Sequence, residues 1–385
     1  MSTDIRKMIK ELSQIKLDPG LMMSLYLDLS PDPKGQRHYQ SFLKKKFSEL
    51  EKRYQPRTAV YENIKTNLEK INRYLKEDLE SRTKGLALFI SQSKQHFSAL
   101  QTARPFENRL VVSRLPYIYP LVKMADDYAP FGVILSDEKR ARLLRVNLGQ
   151  IEEEMEILSD VEAVSSKGYQ TKKEKLGHSD ERYQRHFKEQ VAKHTKQAIA
   201  KALKFFVPGT VDVVLLMVEN GVLAEFQRQM PGPLRSLAKY VESLEVRTPR
   251  EKVLAKALDF FYRMENEASL KAANEVVVWG RGKGGRAVVG TEATLEALQN
   301  GQAEMLVISD KYSDEGWKCE NCMRMGSGGK VNACPYCRSV EVDLAPDMKE
   351  EMVQLAIRRG ARVEFYREGS DLDRYGRVGA LLRSR

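Results

Sequence analysis

The sequence predicts an α/β protein with more than one domain, and three observations lead to that prediction. Its 385 residues exceed what a single hydrophobic core usually covers, so two or three domains are expected. Short apolar runs typical of buried strands alternate with segments whose apolar residues recur at helical spacing. All four cysteines stand in two Cys-x-x-Cys pairs, a spacing typical of a zinc ribbon.

The cysteine pairs are Cys319 with Cys322 and Cys334 with Cys337, separated by a glycine-containing loop. Each pair directs two thiolates at one cation, and together they supply the four soft ligands of a closed tetrahedral site without a position for substrate water. The alternatives are a redox dithiol or a pair of disulfides. The lack of other cysteines and of an apolar N-terminal leader favours a reducing compartment, and hence structural Zn²⁺ in a ribbon at residues 317–340.

The positive charge of the chain is concentrated in one segment. The net charge is +11 and the pI about 9.2, which favours a polyanionic partner if the excess is localised. Residues 167–204 hold eleven Lys or Arg and four Asp or Glu, a local charge of +7. This segment is either a solvated helix face or, as we favour, a surface that contacts nucleic-acid phosphates. With no apolar run of about 18 residues, the protein is expected to be soluble and cytoplasmic, without a membrane partner.

Residues 1–125 are predicted to form an N-terminal α/β domain. An apolar run at 21–29 and another at 85–90 predict buried strands. Between them a helix pair is expected, because apolar residues from 64 to 79 recur at helical spacing.

Residues 126–272 are predicted to form a central α/β domain. A strand and hairpin at 131–146 are followed by a polar, exposed loop at 163–180, a long helix and a buried strand at 211–217. One face of the long helix is marked by Tyr183, Phe187, Val191, Ala198 and Ala202.

Residues 273–385 are predicted to form a C-terminal domain with a βαβαβ order and the ribbon as an insertion. Strands are expected at 275–279, 305–309 and 363–366, and helices at 291–298 and 349–359.

Common catalytic motifs are not evident in the sequence. The glycine-rich run at 280–285 lacks the Ser or Thr that a nucleotide phosphate loop needs after Lys283, so a surface turn is predicted. Paired carboxylates and a nucleophile elbow do not stand out. His178, His186 and His194 are spaced eight apart and approximate one helical stripe, facing phosphate or solvent, rather than a ligand triad.

Several segments resemble one known family. Residues 290–308, the cysteine ribbon, and residues 360–365 and 376–383 are similar to the third domain of archaeal and eukaryotic class-I peptide chain release factors and their relative Pelota. Residues 104–121 and 182–194 resemble the bacterial branch of that family, the release factor subunit 1-like proteins. The resemblance implies a three-domain release-factor-like architecture whose C-terminal domain is an α/β/α sandwich with an inserted zinc ribbon.

The resemblance further implies a monomer that occupies the ribosomal A site, with rRNA and peptidyl-tRNA as partners. Release factors place a Gly-Gly-Gln loop in the peptidyl transferase centre, where the glycines allow close approach to RNA and the glutamine helps position water. This chain has no Gly-Gly-Gln and carries Asp180 near the expected glutamine, so Gly168 and Gln170, a partial substitute, are the candidate catalytic residues. The predicted RNA-binding residues are Lys167, Lys172, Lys173, Lys175, Arg182, Arg185 and Lys188.

Stop-codon decoding is not predicted. The family reads stop codons with an Asn-Ile-Lys-Ser motif, and residues 63–66 read Asn-Ile-Lys-Thr. However, Ile64 begins the apolar helical stripe of the first domain, so this likeness is interpreted as chance.

The leading hypothesis is a ribosome-associated translation factor, resembling peptide chain release factor subunit 1, that acts in the A site in peptide release or ribosome rescue. The sequence leaves open whether it promotes peptidyl-tRNA hydrolysis and whether a translational GTPase delivers it. The alternative is a non-hydrolysing A-site or rRNA-binding protein, such as a ribosome hibernation or protection factor. A third hypothesis is an RNA-binding protein unrelated to ribosomes, since a sandwich fold and basic charge would serve it equally.

Overall fold

The structure is a computed structural model that describes residues 5–15, 20–81, 83–159, 179–207, 209–282, 285–329, 331–345 and 347–383. The chain divides into two compact units, one of residues Met1–Asp127 and Met264–Arg385 and one of Tyr128–Arg263. The predicted division into domains at 1–125, 126–272 and 273–385 stays a prediction. No helix among the described residues is both long and apolar enough to cross a membrane.

The N-terminal part of the first unit is a four-stranded antiparallel sheet with a helix pair on one face. Its elements are α1 Ile5–Ser13, β1 Met22–Asp28, α2 Tyr39–Arg53, α3 Ala59–Glu77, β2 Gly85–Ser91, β3 His96–Thr102, β4 Arg109–Ser113 and α4 Tyr119–Asp127. The strand order is β3-β2-β1-β4. Leu25 and Leu27 of β1 share a core with Ile64, Leu68 and Ile71 of α3. The predicted strands and helix pair are therefore confirmed.

The second unit is a five-stranded mixed sheet covered by helices. Its elements are β5 Phe131–Ser136, β6 Arg140–Asn147, β7 Gln150–Leu158, α5 Ser179–Phe205, β8 Val213–Val218, α6 Asn220–Gln229, α7 Gly232–Leu237, β9 Ala238–Tyr240 and the start of α8 Arg250–Arg281. The order is β7-β6-β5-β8-β9, with β8 parallel to both of its neighbours. Asp137 forms the predicted hairpin turn, because its Oδ1 accepts hydrogen bonds from the backbone N–H groups of Lys139 and Arg140.

The C-terminal part of the first unit is an α/β/α sandwich. Its further elements are β10 Ala287–Val289, α9 Thr291–Gln299, β11 Ala303–Ser309, β12 Gly316–Cys319, β13 Met325–Ser327, β14 Val342–Ala345, α10 Met348–Arg358, β15 Arg362–Tyr366, a 3-10 helix Asp371–Tyr375 and β16 Val378–Leu382. The sheet order is β10-β16-β11-β15. Val307 of β11 packs against Val276 of α8, whereas Leu306 is buried on the opposite face, where α9 and α10 contact the strand. The α/β class and the sandwich are confirmed, and the ribbon strands β12 to β14 are inserted between β11 and α10.

The strand predicted at 275–279 is wrong, because these residues belong to α8. The run of three valines favours a strand locally, but Ala273, Val276 and Val277 are buried at helical spacing against the sheet. Val278 is 67% exposed, which a buried strand would not allow. The sheet instead begins at β10, and the unit reads β-α-β-α-β-β around the ribbon.

Candidate functional site

The four cysteine sulfurs converge in the ribbon. All four Sγ atoms lie within 4.8 Å of one another, with 3.5 Å between Cys319 and Cys337 and 3.6 Å between Cys322 and Cys334. A tetrahedral zinc site with bonds of about 2.3 Å places its sulfurs about 3.8 Å apart, whereas a disulfide requires about 2.05 Å. The cysteines are free thiols. Their arrangement therefore fits one metal ion with four thiolate ligands and no disulfide.

The backbone repeats one turn in both cysteine knuckles. Met323 donates its N–H to the Cys319 carbonyl at 2.9 Å, and Arg338 donates its N–H to the Cys334 carbonyl at 2.9 Å. Both donors adopt left-handed φ values, +58° and +61°, which close the turn tightly. Each turn thus brings the two sulfurs of its pair to the same side, as a shared cation requires.

The local environment favours the thiolate form at Cys337, whereas burial raises the pKa of the Cys322 thiol in the metal-free protein. A hydrogen bond from the Ser339 backbone lowers the pKa of the Cys337 thiol from 9.0 to about 6. The Asn321 side-chain amide lies 3.6 Å from the same sulfur. Hydrogen bonds to a metal-bound thiolate stabilise its negative charge and orient it. A metal held by four protein ligands has no position for substrate water, so this centre can organise the ribbon but not hydrolyse a bond.

A small core and one glutamine position the ribbon on the sandwich. Trp317 packs with Cys319, Cys334 and Val342, and its ring lies so close to Gly326 that an added Cβ would come within 2.6 Å. Buried Gln299 of α9 bonds to both backbone groups of Met325, accepting from the N–H at 3.1 Å and donating to the carbonyl at 3.2 Å.

Helix α5 carries the second candidate site, a basic surface. Val191, Ala198 and Ala202 are buried against the sheet of the second unit, as the helical stripe predicted. The opposite side exposes six cations, namely Arg185, Lys188, Lys193, Lys196, Lys201 and Lys204. Among the side chains described in this helix, Glu189 is the one acid, so the described helix carries a net charge of +5. None of the six cations forms an ion pair with another described side chain. This surface is suited to phosphate contacts.

The structure describes part of the predicted RNA-binding set, and RNA binding by these residues stays a prediction. Arg185 and Lys188 are exposed on α5, and Arg182 lies in the same helix although its side chain is outside the described set. The remaining predicted residues, Lys167, Gly168, Gln170, Lys172, Lys173 and Lys175, lie outside the described residues. The four further lysines from 193 to 204 belong to the same charged segment, and their spacing around the buried stripe could have identified them.

His194 does not face phosphate or solvent as the stripe of three histidines predicted. Its side chain is 1% exposed, and burial lowers its pKa below the ordinary value, so the ring is neutral near pH 7. The spacing of eight residues between the histidines does not show whether they lie on the buried or the exposed face of the helix. His194 lies beside the buried stripe of α5. His178 and the side chain of His186 lie outside the described residues.

The two other motifs are structural. Residues 63–66 lie inside α3, where Ile64 is 3% exposed in the core, in agreement with the interpretation as a helix stripe. Gly280 and Arg281 end α8, and Gly285 takes a φ of +57° after it, so the described part of the glycine-rich run is a helix end and turn.

Comparison with protein families gives one match. Residues 116–261 match the model described as bacterial archaeo-eukaryotic release factor family 10. The matched segment contains α5 and nearly all of the second unit. Over this segment the match agrees with the predicted resemblance to the bacterial branch of the release factor family. A search of curated proteins finds no match.

Comparison with solved structures matches this chain to proteins from archaea and yeast. The archaeal translation termination factor aRF1 is 16% identical over 99% of this chain and 97% of its own, with a TM-score of 0.24. The Thermoplasma acidophilum Pelota protein is 15% identical over 80% and 82%, with a TM-score of 0.26. S. cerevisiae Dom34 is 8% identical over 99% and 92%, with a TM-score of 0.36.

Proposed function

We propose that the protein is a ribosome-associated translation factor that acts in the A site in peptide release or ribosome rescue. The observation that carries this proposal is the match of residues 116–261 to a release factor family. The basic face of α5 lies inside that segment and supplies the cations that binding to an RNA-lined site requires. Zn²⁺ in the ribbon, rRNA and peptidyl-tRNA as partners, and action as a cytoplasmic monomer are parts of the same proposal.

Peptidyl-tRNA hydrolysis is the chemical step that the proposal assigns to the segment before α5. Gln170 would position the attacking water, and Gly168 would allow the backbone to approach RNA closely. Since the four-thiolate centre has no open position, the ribbon has no part in this step. Delivery by a translational GTPase stays a prediction.

The test is release of labelled peptide from purified ribosome complexes that carry peptidyl-tRNA and an empty A site. We expect the wild type to release peptide and Gln170→Ala to release it at least about tenfold more slowly, since loss of a group that acts on the transition state costs 1.4 kcal/mol or more. Gln227→Ala, an exposed glutamine on α6, is the matched control. Sedimentation with the same complexes measures binding separately.

The outcomes distinguish the hypotheses. Equal release by the wild type and Gln170→Ala would remove Gln170 from the step while leaving the factor assignment intact. Binding without release by the wild type would indicate an A-site occupant of the hibernation or protection type. Absence of both binding and release would refute the proposed ribosomal function.

A further inference from the structure

The first unit contains a cavity of about 510 Å³ beside the ribbon. Its walls come from the end of α1, the segment that follows β4, the first cysteine knuckle and the C-terminal turn of α10. Leu115, Met323 and Leu355 provide an apolar part of the lining. Cavities of roughly 300–1,000 Å³ with an apolar lining and a few charged groups are typical of small-molecule sites.

The charges that line this cavity do not balance. Among the residues that the structure describes, five cations and two carboxylates face the cavity. One cation and one carboxylate form a pair, because Lys318 Nζ lies 2.9 Å from Glu351 Oε2. The remaining charged groups are four cations and one carboxylate, namely Arg114, Arg324, Arg358, Arg359 and Glu320. The lining therefore has a surplus of three positive charges, which favours an anion that carries more than one negative charge.

Arg358 is the least compensated of these cations. Its Nη2 is buried and has no hydrogen-bond partner among the described residues, and its Nη1 reaches the Ile15 carbonyl only at 3.4 Å. Burial lowers the pKa of the guanidinium, and the nearest opposing charge, Glu351, is engaged by Lys318. A buried donor with a positive charge and no acceptor is costly, so the site is suited to an anionic acceptor from outside the chain.

We propose that this cavity binds a small organic phosphate, with the phosphoryl group on Arg358 and the organic part against Leu115, Met323 and Leu355. A guanidinium presents paired N–H donors that match phosphate oxygens, and a phosphate dianion balances the surplus charge better than one carboxylate would. The site is distinct from the basic face of α5 and does not depend on ribosome binding.

The experiment is isothermal titration of the zinc-loaded full chain, without ribosomes, in buffer free of phosphate and sulfate. The probes are AMP, adenosine and inorganic phosphate. We expect one AMP per chain, weaker binding of inorganic phosphate and no binding of adenosine. Arg358→Met is expected to bind AMP at least about tenfold more weakly, because it removes the charged hydrogen-bond donors that face the phosphoryl group.

Two control variants and one stability measurement complete the test. Arg362→Met removes the same charge from an exposed arginine outside the cavity and should bind AMP as the wild type does. Arg114→Met should also weaken binding, which provides a second test if Arg358→Met does not fold. In ligand-free buffer Arg358→Met should melt no lower than the wild type, since it removes an uncompensated buried charge, whereas a merely structural arginine would lower the melting temperature on removal.

Three results would overturn the proposal. One is the absence of AMP binding to the wild type at millimolar concentration. A second is unchanged AMP affinity in both Arg358→Met and Arg114→Met. The third is equal affinity for inorganic phosphate and AMP, which would refute binding of the organic part.

Discussion

Each cysteine of the ribbon has a role that its spacing and its backbone together explain. The left-handed turns at Met323 and Arg338 bring each pair of sulfurs together, and the sulfur separations of 3.5 and 3.6 Å fit a shared metal ion. The ribbon has only a four-residue core cluster of its own, made of Trp317, Cys319, Cys334 and Val342. Binding of a metal ion by the four cysteines would offset the entropy of ordering the loops around so small a core.

Replacement of Cys319 and Cys334 by Ser should therefore release the metal and unfold the ribbon, while the larger cores stay folded. The zinc content measured by elemental analysis should fall from one ion to none per chain. The backbone amides of β12 to β14 should lose their protection from hydrogen exchange. The far-UV circular dichroism should change little. Unchanged zinc content in the double variant would refute the metal site.

Asp126 in α4 is a second residue with an unusual environment. Burial is the largest cause that raises its pKa to about 8; the carboxylates of Glu364, Asp127 and Glu265 act in the same direction, and Lys123 acts against them. Burial also raises the pKa of Glu364 to about 7. The folded protein therefore holds protons at pH 6 that the unfolded chain has lost, and these groups contribute stability that is full below about pH 4 and is lost as the pH rises toward 8.

Asp126→Asn should remove much of this pH dependence. The free energy of unfolding of the wild type is expected to fall between about pH 4 and pH 8. That of the Asn variant should fall less, so the variant should be the more stable of the two proteins at pH 8. Denaturant titrations at several pH values measure both curves. Asp343→Asn, on the exposed side of β14, makes the same change outside the cluster and should follow the wild type. Parallel curves for the wild type and Asp126→Asn would show that Asp126 is ionised in the folded state.

At the scale of elements, α5 and α8 show when the spacing of apolar residues is sufficient to predict a helix from the sequence. In α5 the predicted burial of Val191, Ala198 and Ala202 is confirmed, because the apolar residues are spread over several turns of polar helix, whereas the side chains of Tyr183 and Phe187 lie outside the described set. In α8 the run at 275–279 is short and β-branched, and only packing of Ala273, Val276 and Val277 against the sheet decides for a helix. A short apolar run fits either structure until its partner surface is known.

The cations of α5 should determine the salt dependence of ribosome binding. Arg185, Lys188 and Lys196 lie on one side of the helix by its 3.6-residue repeat. Replacing these three with Gln should weaken binding and reduce the slope of log K against log salt by about 2–3, at 0.7–0.9 per phosphate contact. A pelleting assay at several salt concentrations measures the slope. The same change at Lys44, Lys45 and Lys52, exposed on α2, should leave it nearly unchanged, and equal slopes for both triple variants would contradict the assignment to α5.

At the scale of the whole molecule, the chain forms one unit from distant segments and one from a continuous segment. Residues 1–127 and 264–385 are joined by side chains such as Arg109 and Glu350, whose Nη1 and Oε1 lie 2.5 Å apart, and Lys123 and Asp310, at 2.9 Å. In the second unit, the sheet and its main core lie within residues 131–240, and Phe131 stacks on Phe261 at 4.5 Å.

Residues 128–263 should therefore fold when expressed alone, whereas residues 1–127 alone should be destabilised. The first fragment keeps its sheet and core, but the second loses Glu350 and Asp310, which pair with Arg109 and Lys123, and exposes surface that is buried in the full chain. Thermal unfolding followed by circular dichroism compares the fragments. A cooperative transition for 1–127 and none for 128–263 would contradict this division.

The sequence alone determined the features that depend on neighbouring residues. The cluster of four cysteines that could hold a metal ion follows from cysteine spacing, the strands of the first sheet from apolar runs, and the long basic helix from its period. Tertiary structure decided that 275–279 is helical, that His194 is buried, and that Arg114, Met323 and Arg358 line one cavity. The physical reason is that spacing encodes periodicity and ligand chemistry, whereas burial and the compensation of charge depend on which distant segments come into contact.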